Sequence, residues 1–150
     1  MTIRHAVERD VPALVGLLAA GAVPGTAEDR EDTTDPAPYR AALTQIEEAG
    51  NAILVAEEQG VVVGMCQLLV FRHFQGRGGL CAELESVHVR ADRRARGIGS
   101  ALVLASVQAA RARGCYRVQL TSNVVRDDAH RFYGRLGFEP THVGFKMLLA

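Results

Sequence analysis

Tryptophan is absent from the 150 residues, cysteine occurs three times, and aromatic side chains make up only 5% of the chain. Cys66, Cys81 and Cys115 are odd in number and show no C-x-x-C spacing, which argues against both a disulfide framework and a thiolate zinc site. The five histidines, at positions 5, 73, 88, 130 and 142, have no metal-ligand spacing either, so no metal is expected. No stretch approaches roughly 18 uninterrupted apolar residues. The opening MTIRHAVERD lacks the basic start and apolar run of a secretory signal. These absences predict a soluble protein of the reducing cytoplasm. Net charge is missing as well: seventeen Lys+Arg offset seventeen Asp+Glu, which leaves no general attraction to nucleic acid or to an anionic membrane.

The chain does have 48% hydrophobic residues, in a length that suits one domain, 1–150, with a sizeable core. Strand and helix patterns alternate. Thr2 to Ala6 reads as a strand, and Val11, Leu14, Val15 and Leu18 fall at helical spacing before Gly21 breaks the run. A loop rich in Pro, Gly, Thr and acids follows, and Asp35-Pro36 then starts a second helix with Tyr39, Leu43 and Ile46 on its apolar stripe. Ala52 to Glu57 and Val61 to Phe71 form a hairpin around Gly60, and after the permissive loop Gly76 to Gly79 a third strand runs from about Ala82 to Val89. An apolar helix reaches Arg113 and ends at Gly114. Tyr116 to Thr121 is the next strand. Asp127 or Asp128 caps a last helix carrying Ala129, Phe132, Tyr133 and Leu136, and Thr141 to Leu149 supplies a final strand whose exposed edge suits either a monomer or a homodimer.

The chemistry starts at Arg94-x-x-Gly97-x-Gly99, between a strand and a long helix. Glycines at that junction let several backbone N–H groups converge, the helix N-terminus adds a positive dipole, and Arg93, Arg94 and Arg96 supply charged donors; a diphosphate is the natural guest. A tight strand-to-helix turn needs glycine for steric reasons too, so the spacing alone does not decide. Gly-Lys-Ser/Thr is absent and Leu102 stands where the third glycine of G-x-G-x-x-G belongs, which weakens the P-loop and dinucleotide readings.

Three segments, in this order, resemble the GCN5-related N-acetyltransferases (GNAT). Leu84 to Val89 followed by Arg94-Ala95-Arg96-Gly97-Ile98-Gly99-Ser100-Ala101-Leu102 is similar to the family's acetyl-CoA strand and its R/Q-x-x-G-x-G/A loop. Leu120 to Asn123 resembles the end of the next strand, and Ala129 to Phe138 resembles the A-x-x-F-Y-x-x-x-G-F segment. The resemblance covers essentially the whole chain. It implies an α+β fold with a mixed, mostly antiparallel sheet of six or seven strands and about four helices, in the order β-α-α-β-β-β-α-β-α-β.

It also implies two neighbouring strands, Glu83 to Val89 and Tyr116 to Asn123, that splay around a bulge and bind the pantetheine arm of acetyl-CoA. Val87, His88 and Val89 line that arm, Asn123 and His130 steady it, and Arg94, Ala95, Arg96, Gly97, Ile98, Gly99 and Ser100 hold the diphosphate. An acceptor ammonium with pKa near ~10.4 must lose a proton before it attacks. Glu85 is the expected base, with Glu83 and His88 as alternatives, and Tyr133 is the expected acid toward the departing thiolate. The bland readings are a solvent-facing Glu85 and a Tyr133 that is simply part of a helix's apolar stripe. The resemblance places the connection from Glu28 to Asp35 at the acceptor site, where its acids would favour a small cationic amine; a solvated loop with Asp35 serving only as a helix cap is the alternative. Acetylation of a protein amine, a noncatalytic acyl-CoA-binding regulatory module, and RNA binding through Arg90, Arg93, Arg94 and Arg96 are the alternatives.

Overall fold

A computed structural model describes residues 1–22, 31 and 33–149. Five strands, β1 (Thr2–His5), β2 (Ala52–Glu58), β3 (Val61–Arg72), β4 (Leu80–Val89) and β5 (Cys115–Leu120), form one sheet in the order β1-β2-β3-β4-β5. Among the first four each neighbouring pair is antiparallel, and β5 pairs parallel to β4. The helices are α1 (Val11–Gly21), α2 (Ala37–Glu48), the single turn α3 (Gln75–Gly78), α4 (Ile98–Ala112) and α5 (Asp127–Arg135).

The near-continuous apolar run of β2 follows from burial on both faces. Ile53 and Val55 face Val11, Leu14, Val15 and Leu43 of α1 and α2, whereas Leu54 and Ala56 face Ile98, Leu102 and Val103 of α4. Helices thus cover both sides of the sheet. Arg4 on β1 ties the entry to α1 down: it donates to both oxygens of Asp10 at 2.6 and 3.0 Å and to Glu57 on β2, while Asp10 also accepts from the Val7 N–H at 2.8 Å.

Three expectations need correction. Among the described residues the sheet has five strands rather than six or seven, because 141–149 take no strand partner. Gly144 lies against Thr121 just past the end of β5, and Val143, Phe145, Met147, Leu148 and Leu149 are exposed. The segment Gly76 to Gly79 contains a one-turn element with left-handed Gly76 and Arg77 rather than a plain loop. Neither Asp127 nor Asp128 caps α5: both lie in its first turn, where they suit the helix dipole, and Asn123 instead accepts from the Val125 N–H at 3.1 Å. Asp35 accepts from the Ala37 N–H at 3.0 Å in the turn just before α2, whose N-cap is Pro36.

Candidate active site

The site begins where β4 leaves its neighbours. Pairing with β5 runs from Leu80 opposite Cys115 to Leu84 opposite Leu120 and stops there. On the other side the register with β3 slips between Met65 and Gln67, so Ser86 and Val87 together face Cys66. Ser86 takes a left-handed φ of 52°, the mark of an inserted residue. The Arg90 N–H donates to Val63 on β3 at 2.8 Å, so the period of two turns the N–H of Val89 toward the side that β5 has vacated. A cleft of about 900 Å³ opens along this gap.

One end of the cleft is the glycine-bearing loop. Ala95 and Gly97 adopt left-handed φ values of 59° and 78°, and α4 starts at Ile98, so the amides of Ile98, Gly99 and Ser100 have no acceptor within the helix. A Cβ at Gly99 would sit 3.4 Å from the Phe132 ring and 3.6 Å from Val89, so glycine there lets α4 start close to α5 and β4. Arg94 donates to the Val89 carbonyl at 3.1 Å and lines the cleft. Arg96 is exposed and lies outside the lining. Arg90 is paired with Asp92 at 2.6 Å and Arg93 with Glu58 at 3.3 Å.

In mid-cleft are Glu85, His88 and Tyr133. Glu83 lies opposite Gln119 where β5 still pairs and accepts from Gln119 Nε2 at 3.0 Å, whereas Glu85, on the same face of β4, lies beyond the last β4–β5 pair and lines the cleft. His88 packs against the end of α1, where a Cβ on Gly21 would fall 2.1 Å from the imidazole Nδ1. Burial, helped by the charges of Arg126 and Arg94, pulls the His88 pKa down, which keeps the ring uncharged at neutral pH. Burial pushes the Tyr133 hydroxyl up to about 12, with Cys66 and Glu85 adding to the shift and Arg126 opposing it, so the phenol holds its proton. The Cys66 thiol beneath is pushed up to about 11 by burial and behaves as packing.

Asn123 lines the cleft. His130 does not: its Nε2 lies 3.0 Å from the Asn123 carbonyl, where it steadies the turn from outside. The acids at 28, 29 and 32 lie outside the described residues, but Glu31 lines the cleft and accepts from the Tyr39 hydroxyl at 2.6 Å. Gly21, Arg126 and Lys146, which the sequence did not single out, also line it. Among the described residues no three His, Cys, Asp or Glu side chains gather as a metal site, and no helix is long and apolar enough to cross a membrane.

A mixed sheet with a bulged, half-released strand beside an anion-cradling helix start defines a class of cofactor-binding transferase folds. The chain belongs to the acetyltransferase (GNAT) family, whose model matches residues 22–138. It is 34% identical over 95 residues to an aminoalkylphosphonate N-acetyltransferase of Salmonella typhimurium, covering 63% of this chain and 61% of that one. To an L-methionine sulfoximine/L-methionine sulfone acetyltransferase of Pseudomonas aeruginosa it is 32% identical, covering 92% and 80%. Among solved structures, a chain described as a transcriptional regulator from Bacillus halodurans C-125 superposes with a TM-score of 0.90 at 36% identity over 99% of both. The chain thus spans only about six tenths of the length of several curated relatives that it matches.

Proposed function

We propose that the chain transfers an acetyl group from acetyl-CoA to the primary amine of a small molecule, by direct attack with both substrates bound. The observation that carries this reading is the release of β4 from β5 after Leu84, directly beside the left-handed loop and helix start at Ala95 to Ser100. The open amides suit the diphosphate and Arg94 adds charge beside it, while the vacated edge at Val87 and Val89 suits the pantetheine amides in place of a missing strand. Acetyl-CoA, when bound, supplies an activated acyl group on a thiolate that leaves readily.

In this reading Glu85 takes the acceptor's proton through a water, with His88 the other group on β4 able to do so. Tyr133 keeps its proton at neutral pH and donates it to the departing sulfur. Arg126, which has no ion pair among the described residues, suits an acceptor that carries an acid as well as an amine. The named substrates of the Salmonella and Pseudomonas relatives favour such small acceptors over a protein amine. Three free cysteines are compatible with a reducing cytoplasm.

The test is thiol release from acetyl-CoA across a panel of aminophosphonates, amino acids and simple amines, beside a thermal shift with acetyl-CoA alone. Turnover with at least one amine supports the proposal. A thermal shift without turnover supports the second reading, a noncatalytic regulatory module, which the description of the Bacillus halodurans relative favours. No shift removes both.

A further inference from the structure

At the end of the sheet opposite the cleft, β3 finishes and β4 and β5 begin. Five arginines belong to this end, Arg72, Arg77, Arg111, Arg113 and Arg117, and every one is exposed. The two segments that carry them, 71–82 and 108–118, contain no Asp or Glu, and none of the five forms an ion pair among the described residues. Four donate to neutral acceptors: Arg72 to the Gly78 carbonyl at 2.8 Å, Arg111 to Gln108 Oε1 at 3.4 Å, Arg113 to the Gly50 carbonyl at 2.6 Å and Arg117 to the Cys81 sulfur at 3.3 Å. A chain without net charge thus has one basic pole.

Aromatic rings share that pole. Phe71, His73 and Tyr116 form a ladder with successive ring centroids 6.2 and 6.4 Å apart, and the Arg117 guanidinium lies 5.5 Å from the Tyr116 centroid. The connection from β3 to β4 packs on this ladder, because a Cβ at Gly76 or Gly79 would fall 2.7 or 3.0 Å from the Tyr116 ring. With Gly76, Arg77 and Gly78 all left-handed, the turn leaves Phe74 fully exposed. A phenyl ring bare to solvent is a stacking platform, and beside it stands Arg77-Gly78-Gly79, the Arg-Gly-Gly composition of segments that hold single strands.

We infer that this pole docks single-stranded RNA, with Phe74 stacked on a base and the arginines along the phosphates. An acidic peptide would satisfy the guanidinium groups but offers nothing flat to Phe74, so the pairing of rings with arginines favours a nucleic acid. A duplex keeps its bases stacked on one another, and the loops of folded RNA are where unstacked bases are presented. Arg72 on β3 and Arg117 on β5 lie about two strand spacings apart, roughly 10 Å, which a few nucleotides span. The cleft lies at the other end of β4, so RNA and acetyl-CoA do not compete for space.

Fluorescence anisotropy of the full chain with a labelled oligouridylate of about twelve nucleotides tests this, beside an RNA duplex of the same length and a labelled polyglutamate. The single strand should bind more tightly than either of the others, and its affinity should fall with salt on a log–log slope of about −2 to −3.5, or about 0.7 for each phosphate contact. Phe74→Ala should weaken it roughly 5–100-fold and leave that slope unchanged, whereas Arg77→Ala should make the slope shallower by about 0.7. Both side chains are exposed, so both variants should keep the wild-type melting temperature. No binding of the single strand, equal or tighter binding of the duplex or of polyglutamate, or an affinity unaltered in Phe74→Ala overturns the inference.

Discussion

At the scale of single residues, the cleft depends on one missing methyl group. His88 occupies the space where a Cβ on Gly21 would lie 2.1 Å away, so Gly21→Ala must rotate the imidazole or push the end of α1 outward. Gly21 is a positioning residue in this account. Its alanine variant should lower kcat/KM for the amine by roughly 10–100-fold, the scale of an ångström's misplacement, with the KM for acetyl-CoA unchanged. A second residue-scale prediction concerns Tyr133, whose hydroxyl holds its proton to about pH 12. Tyr133→Phe keeps the packing against Phe132 and Phe138 and removes only the hydroxyl proposed as the acid. Its kcat should fall by at most about 10²–10⁴-fold, and a steeper kcat loss with slow-leaving thiols would identify the step. Tyr133, Gly97 and Gly99 were legible because each belongs to a motif written within a few consecutive positions. Gly21, Arg126 and Lys146 were not, because the end of a helix, a connection and the tail meet at the cleft only after the chain has folded.

Among the elements, β4 carries the most. Glu83 and Glu85 share one face of the strand, and the sequence alone left them undecided because it does not show where β5 parts from β4. Ser86 holds the bulge with a φ of 52°, a conformation that a β-branched residue resists. Ser86→Val should therefore cost about 1–2 kcal/mol in a urea titration and weaken acetyl-CoA in the same protein, since flattening the bulge closes the gap toward β5. The clamp at the start of α1 gives a pH prediction. Arg4's hydrogen bonds, with the Val7 N–H in support, hold the buried Asp10 carboxyl below the usual carboxylate range against the opposing effect of burial. A depressed carboxylate stabilises the fold above its unfolded pKa of about 3.9 and loses that contribution as pH falls through the lower folded value. The stability gap between wild type and Asp10→Asn, measured by urea titration, should be full at neutral pH and narrow only below about pH 4.

On the scale of the whole molecule, the sheet separates two apolar clusters, one under α1 and α2 and the other under α4. Leu102 is fully buried in the second, and Leu102→Ala should cost about 2–5 kcal/mol, read from the urea midpoint. Order and type of the elements were written plainly in the chain's periodicity, from Val11-Leu14-Val15-Leu18 to Ala129-Phe132-Tyr133-Leu136. The tail was misread for the same reason that the rest was read well. Alternation records that one face of a segment is apolar, but it does not say whether that face meets the core or the solvent.

The parting of β4 and β5 at Leu84 divides the backbone of a single strand into two dynamic regimes. Amides of β4 up to Leu84 are clasped by strands on both sides, whereas those beyond it that face the gap have lost their partner strand. Deuterium should enter the two halves of β4 at very different rates, slowly before Leu84 and quickly at Val87 and Val89, until a bound molecule completes the missing ladder and erases the boundary.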